Sequence, residues 1–172
     1  MKFLVDGMLG KLAKWLRLMG YDAKYSIFPD RTLIIEASKE NRILLTSDIA
    51  LYREAVARGV EAYLVKGKNE IERIAELAKK FNLKIEANVE SSRCPLCGSL
   101  LKKVEKTLVK GKVPDQTFNF YSNFWVCINE NCKKIYWQGS HWKKINEVLL
   151  QAKKLIVNAK KVNKQVINNN GS

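Results

Sequence analysis

Four cysteines impose the strongest constraint on how this chain can fold. They form two pairs, Cys94-x2-Cys97 and Cys127-x4-Cys132, with 29 residues between the pairs. Two closely spaced cysteine pairs separated by a longer segment are typical of two knuckles that close around one tetrahedral zinc ion. The first residues do not resemble a secretory signal, so we expect a cytoplasmic protein in which zinc is favoured over disulfides. Four sulfur ligands leave no open position, so the predicted zinc is structural.

The region before the cysteines alternates between two hydrophobic periods. Short apolar runs predict strands over residues 2–5, 23–25, 42–46 and 61–65. Helical spacing of apolar residues predicts helices over residues 8–19, 30–38, 48–58 and 70–81. Strands that alternate with helices form a mostly parallel sheet covered on both faces. The predicted fold class is therefore α/β.

The pattern divides the chain into three parts. Residues 1–86 form the predicted α/β domain, and residues 93–146 form the cysteine module. Between them, residues 86–93 lose the apolar periodicity and are predicted to be a linker. Residues 147–172 are predicted to form a basic C-terminal helix that ends in a disordered tail.

Positive charge accumulates in the second half of the chain. The sequence has 31 Lys and Arg against 17 Asp and Glu, a net charge of +14. Residues 1–90 contribute +3 and residues 91–172 contribute +11. Such a surplus favours a nucleic-acid partner, because neutralising phosphates releases counterions, although solubility or a Lys-rich thermophile composition is the alternative. No apolar run is long enough for a membrane helix, so we expect no membrane association.

Three aspartates are predicted to meet at one edge of the sheet. Asp6 and Asp48 follow the first and third predicted strands, and Asp30 begins the second helix. Ligands of open parallel sheets bind beyond the carboxyl ends of the strands. Clustered carboxylates suit Mg²⁺ or Mn²⁺, and such an ion supports phosphodiester hydrolysis. The alternative is that each aspartate only caps a helix.

Four ordered blocks resemble one protein family. Residues 3–22 and 42–48, together with Cys94-Pro-Leu-Cys97 and residues 136–142, are similar to the Mut-seven C-terminal RNase-domain family. The resemblance covers roughly residues 2–146 and implies a PIN-like three-layer nuclease domain followed by a zinc ribbon.

The resemblance also implies roles for residues. It makes Asp6, Asp30 and Asp48 the metal-binding acids, and Thr46 the residue that orients Asp48. PIN-like nucleases often place another acid near the fourth strand, which here lacks one. Glu36 and Glu70 are candidate substitutes. Because the fourth strand itself lacks the acid, one catalytic ion is as plausible as two.

Lysines and aromatic residues provide candidate RNA contacts. Lys11 lies one turn into the first helix, whereas Lys14 and Arg17 are predicted to face solvent. In the cysteine module, aromatic rings alternate with Lys133, Lys134, Lys143 and Lys144. Rings can stack on bases while lysines hold phosphates, but in a small zinc module most rings are expected to build the core.

These features lead to competing functional hypotheses. The first is an Mg²⁺- or Mn²⁺-dependent endoribonuclease whose zinc ribbon and basic tail bind RNA. The second is a non-catalytic adaptor that binds RNA or the ribosome, so ribosomal and structured RNA are both candidate partners. A third, weaker hypothesis is a receiver-like module phosphorylated at Asp48.

Overall fold

Four strands alternate with four helices in the first part of the chain. The structure, a computed structural model, describes residues 1–169, with side chains described through Ala159. The strands are β1 (Lys2–Asp6), β2 (Asp22–Ser26), β3 (Ile43–Thr46) and β4 (Ala62–Leu64). The helices are α1 (Gly10–Leu18), α2 (Asp30–Glu40), α3 (Ile49–Ala57) and α4 (Glu70–Phe81).

The four strands form one parallel sheet in the order β2-β1-β3-β4. Because successive side chains of a strand point to opposite faces, Phe3 and Val5 pack with α1 and α4, whereas Leu4 packs with α2 and α3. The domain therefore has three layers, with helices on both faces of the sheet. The predicted α/β class is confirmed.

The connections create a crevice between the two central strands. β1 leads into α1 on one face of the sheet, and its neighbour β3 leads into α3 on the opposite face. Helices that diverge in this way leave an open crevice at the carboxyl ends of the two strands. Asp6 and Asp48 lie at this position.

The cysteine module is built on a small antiparallel sheet. The strands are β5 (Leu101–Val104), β6 (Phe124–Cys127) and β7 (Ile135–Tyr136), and they lie in the order β5-β6-β7. A short helix, α5 (Asp115–Phe120), lies between β5 and β6 in the chain. Of the eight aromatic residues from Phe118 to Trp142, only Phe120 is exposed, in agreement with the expectation of one or two. Half of these rings pack in the module's core: Phe118, Tyr121, Phe124 and Trp137.

The last helix, α6 (His141–Asn169), differs from the predicted basic extension. It begins within the segment assigned to the cysteine module and packs against α4. Leu149 and Ala152 are buried in the same core as Phe3. The first half of α6 is thus part of the α/β domain. The predicted disordered tail is helical as far as Asn169, and residues 170–172 lie outside the described residues.

The segment predicted to be a linker is packed against α1. The Ser92 hydroxyl donates to the Leu18 carbonyl, and Val89 is buried. Gly20 has a φ of 89°, and a Cβ there would lie 2.8 Å from the Ser91 carbonyl oxygen. A glycine is therefore required where the segment crosses the end of α1.

The helices described in residues 1–169 include none with the length and apolar character needed to span a membrane.

Candidate functional site

Thr46 connects the ends of the two central strands. It is the last residue of β3 and is fully buried. Its hydroxyl donates a 2.8 Å hydrogen bond to Asp6 Oδ2 and accepts a 3.0 Å hydrogen bond from the Asp48 backbone N–H. One side chain thus fixes both the carboxylate of Asp6 and the backbone at Asp48.

Asp48 also caps helix α3. Its Oδ1 accepts hydrogen bonds from the backbone N–H groups of Ala50 at 2.6 Å and Leu51 at 3.1 Å. The capping interpretation of Asp48 is therefore correct, but it uses only one carboxylate oxygen. Among the described residues, neither Asp48 Oδ2 nor Asp6 Oδ1 has a hydrogen-bond donor.

Asp30 lies on the same edge but outside this hydrogen-bonded pair. It is the exposed first residue of α2, which follows the carboxyl end of β2. Pro29 holds the cap position, so Asp30 is not a helix cap, and no side chain within the described range pairs with it. Its role as a third metal ligand stays a prediction.

The residues of this edge fit a hard divalent cation. Mg²⁺ commonly binds through one or two protein carboxylates and keeps several waters or substrate oxygens as its other ligands. The two free oxygens of Asp6 and Asp48 suit that mode. The three aspartates do not form a closed cluster, because the four cysteines are the only group of three or more potential metal ligands among the side chains described, through Ala159; the cysteine sulfurs lie within 4.8 Å of one another.

A positively charged cleft lies on the α1 and α4 side of the acidic edge. The cleft has a volume of about 610 Å³, and it is lined by Met8, Lys11, Lys68 and Arg73. Arg73 pairs with Glu70 at 2.7 Å, whereas in the described part of the chain neither lysine has an acidic partner. The phosphate contact predicted for Lys11 stays a prediction, and Lys68 is an additional cleft residue that the sequence did not indicate.

The four cysteines have the arrangement of a zinc site. The sulfurs of Cys94 and Cys132 lie 3.7 Å apart, and those of Cys97 and Cys127 lie 3.4 Å apart. A tetrahedral ion with zinc–sulfur distances of about 2.3 Å separates its ligands by about 3.8 Å. The geometry thus fits one closed tetrahedral metal site, as the spacing predicted.

Neighbouring groups adjust the ionisation of these thiols. Burial opposes ionisation of Cys97, but hydrogen bonds with the side chain and backbone of Ser99 and with the thiols of Cys127 and Cys94 together lower the pKa of Cys97 to about 6. The Tyr136 hydroxyl lies 3.1 Å from Cys94 Sγ, and burial followed by this contact raises the pKa of Tyr136. Tyr136 therefore stays protonated and can donate to the sulfur.

Arg17 contradicts the prediction that it faces solvent. It is buried, and its Nη1 donates to the carbonyls of Pro95 and Leu96, both at 3.0 Å, while its Nε donates to Ala23 at 2.7 Å. Burial lowers the pKa of the Arg17 guanidinium, and the nearby Cys97 and Cys94 oppose that shift. Arg17 thus joins the α/β domain to the first zinc knuckle.

Gly98 permits this contact. Its φ is 82°, and a Cβ there would lie 3.1 Å from Arg17 Nε. The glycine of the knuckle therefore both completes the turn and leaves room for the guanidinium.

The cysteine module also has an open cleft with lysines and rings. Its volume is about 680 Å³, and it is lined in part by Lys112, Lys133, Lys134, Tyr136 and Trp137. The structure thus brings together two of the four predicted ribbon lysines and adds Lys112. The other two, Lys143 and Lys144, are exposed on the first turn of α6 and do not line this cleft.

The sequence reasoning missed residues whose partners are distant in the chain. Arg17 resembled an ordinary exposed helix residue because its partners Pro95 and Leu96 follow 78 and 79 residues later. Lys68 lies in a short loop before α4 and carries no motif. The Cys-Pro-Leu-Cys-Gly turn was the only local signal that another group approaches the knuckle.

One of the comparisons with known proteins finds a family that matches the chain. A family model described as the Mut7-C RNAse domain matches residues 1–149. No curated protein and no solved structure matches the chain. The match includes both aspartates of the crevice, the four cysteines and the first turns of α6. The chain therefore belongs to the Mut7-C RNAse-domain family.

Proposed function

We propose that this protein is an endoribonuclease that hydrolyses RNA phosphodiesters with the help of Mg²⁺ or Mn²⁺ bound at Asp6 and Asp48. The observation that carries the proposal is the Thr46 hydroxyl, which holds Asp6 Oδ2 at 2.8 Å and the Asp48 backbone at 3.0 Å. This arrangement fixes two carboxylates at the crevice and leaves one oxygen of each without a protein donor.

Each residue has a distinct part in the proposed reaction. Asp6 and Asp48 supply carboxylate oxygens, and Thr46 is a positioning residue that orients Asp6. Asp30 is proposed as a further acid that approaches when RNA is bound. When bound, a divalent ion activates water and neutralises charge on the phosphodiester.

RNA binding is proposed to extend over the basic half of the chain. Lys11 would hold a phosphate beside the crevice, and Lys133 and Lys134 would hold RNA along the ribbon cleft. Lys143 and Lys144, exposed on α6, are proposed as further phosphate contacts. The zinc ion is structural in this proposal, and thiol ligands fit the reducing cytoplasm.

One observation favours a second candidate function. Asp48 Oδ1 is used by the α3 cap, and the three aspartates do not form a closed ligand cluster. A protein that kept the fold and lost turnover would also show this geometry. The second candidate is therefore a non-catalytic adaptor that binds RNA or the ribosome.

A nuclease assay separates the two candidates. Purified protein is incubated with total RNA in buffer alone, with Mg²⁺ and with Mn²⁺, and the products are resolved on denaturing gels. The endoribonuclease proposal predicts cleavage that needs the ion and that Asp48→Asn abolishes. The adaptor predicts no cleavage and RNA binding that Asp48→Asn leaves unchanged.

A matched control variant distinguishes cleavage by this protein from cleavage by contaminating nucleases. Asp115→Asn removes an exposed aspartate at the start of α5, in the cysteine module. It should cleave RNA at the wild-type rate. Equal activity of the Asp48→Asn and Asp115→Asn variants would contradict the proposal.

A further inference from the structure

Large apolar side chains are exposed around the acidic edge. Met8, two residues after Asp6, is 67% exposed, and Ile49, directly after Asp48, is 54% exposed. In the β2–α2 loop, Ile27 is 77% exposed and Phe28 is 59% exposed. All four lie in the segments that leave the carboxyl ends of β1, β2 and β3. Grouped exposed apolar residues mark binding surfaces more often than scattered ones do.

Two contacts place part of this group directly at the crevice. Ile27 packs over the start of the turn after β1, where a Cβ on Gly7 would lie 3.4 Å from Ile27 Cγ2. Met8 Sδ lies 3.8 Å from the Ser47 hydroxyl, so Met8 reaches across to the end of β3. Whatever binds this apolar group therefore lies beside Asp6 and Asp48.

The strand order gives the edge two chemically different sides. The apolar β2–α2 loop lies at one side, and the β4–α4 loop, which carries Lys68, lies at the other. Three strand spacings, about 14 Å in all, separate these sides. The acidic pair lies between them. A ligand that fits this edge has flat apolar groups on one side and a cleavable anionic backbone that runs past the acidic pair toward the lysines.

We propose that Ile27 and Phe28 form a base-binding subsite, and that Lys11 and Lys68 bind the phosphates of the same RNA strand. This inference rests on the proposed function. An unpaired strand presents base faces and phosphates separately, and aromatic side chains bind such faces by stacking. In a duplex the base faces are stacked inside the helix, so Phe28 gains nothing from them.

The test measures binding without cleavage. A short fluorescein-labelled oligoadenylate and the same strand annealed to its complement are titrated with full-length protein, with no Mg²⁺ or Mn²⁺ added, and fluorescence anisotropy is recorded. Phe28→Ala should weaken binding of the single strand by about 5- to 150-fold, the contribution of one stacked base. Binding of the duplex should be unchanged.

Matched variants control for general effects. Val56→Ala truncates another exposed apolar side chain, 50% exposed near the end of α3 and away from the acidic edge, and should leave binding of both probes unchanged. Ile27→Ala should weaken binding of the single strand as Phe28→Ala does, though by less. Lys68→Ala should weaken binding of both probes and reduce the salt dependence of single-strand binding.

Two results would overturn the inference. The first is wild-type affinity of Phe28→Ala for the single strand. The second is a dimer, seen by sedimentation, that Phe28→Ala dissociates without weakening RNA binding, because the apolar group would then cover a second copy of the chain. Neither result depends on catalysis, so the subsite can fail while cleavage is observed, and the proposed cleavage can fail while the subsite is confirmed.

Discussion

The hydroxyl of Thr46 fixes the geometry of the crevice. The same oxygen donates to Asp6 and accepts from the Asp48 backbone, so it acts on both central strands at once. Because Thr46 is fully buried, water cannot replace its hydroxyl without a rearrangement of β3. The residue therefore orients the acids and does not itself need to contact RNA.

The Thr46→Val variant tests this positioning role. Valine keeps the shape and removes the hydroxyl, so unfolding free energy should fall by about 1–3 kcal/mol. RNA cleavage should slow by about 10- to 100-fold, the effect typical of losing a residue that orients a metal ligand. Thr46→Ser keeps the hydroxyl and should restore most of the rate. Equal rates for the Val and Ser variants would show that the hydroxyl has no positioning role.

Arg17 is the residue on which the junction with the zinc knuckle depends. Arg17→Met keeps the aliphatic stem but leaves three carbonyl oxygens without their donor, so stability should fall by about 2–5 kcal/mol. Zinc should also be lost faster to a chelator, measured with a colorimetric zinc indicator. Lys14→Met, on the same helix but exposed, should match wild type in both measurements. Unchanged zinc release from Arg17→Met would contradict the role.

At the scale of single elements, local patterns predicted the strands and helices well. The Asn69 cap and helix 70–81 follow from sequence neighbours alone, and the structure has that helix at Glu70–Phe81. The aspartates at the crevice were predictable because parallel strands bring their carboxyl ends to one edge.

Features that depend on packing between distant segments were not predictable. The start of α6 at His141 and the burial of Leu149 and Ala152 depend on contacts with α4, and a basic sequence there resembled a solvated extension. Likewise, the sequence gives no sign that Ile27 and Phe28 are left exposed, because exposure is decided by the elements that surround a loop.

Truncations of α6 test the division between its buried and basic halves. Deleting residues 148–172 removes Leu149 and Ala152 from the core and should cost more than about 3 kcal/mol, with a clear fall in melting temperature. Deleting only residues 159–172 removes Lys160, Lys161 and Lys164 and should leave the melting temperature unchanged. If those lysines contact RNA phosphates, the log–log salt slope of binding should fall by up to about 2 units. Equal melting temperatures for the two truncations would contradict the packing of α6.

The stability of the cysteine module can be tested separately from that of the α/β domain. Metal analysis should give about one zinc per chain, because the four sulfurs form one closed site. Cys97→Ser should remove the zinc and unfold the small sheet, seen as increased exposure of Trp125 and Trp137 by fluorescence. Most of the helical circular dichroism signal should remain, because α1–α4 pack in two cores that are separate from the core of the cysteine module. A folded ribbon without zinc would contradict the assignment.

At the scale of the whole molecule, positive charge is divided unequally between the two parts of the chain. The acidic crevice lies in residues 1–90, whose net charge is +3, while residues 91–172 carry +11. Like charges repel, so an acidic centre alone would bind a polyanion weakly. In the proposed function, the basic ribbon, α6 and the cleft at Lys11 and Lys68 would offset this repulsion and hold the strand at the crevice.

Cleavage of a circular single-stranded RNA tests the central claim most directly. A circle has no ends, so only an endonuclease can convert it to a linear product. With Mn²⁺ present, wild-type protein should linearise the circle. Asp6→Asn should reduce the rate by at least about 100-fold, because it removes a carboxylate that would hold the ion that stabilises transition-state charge. Circles that stay intact with wild-type protein, or that Asp6→Asn linearises at the wild-type rate, would contradict an endoribonuclease centred on Asp6 and Asp48.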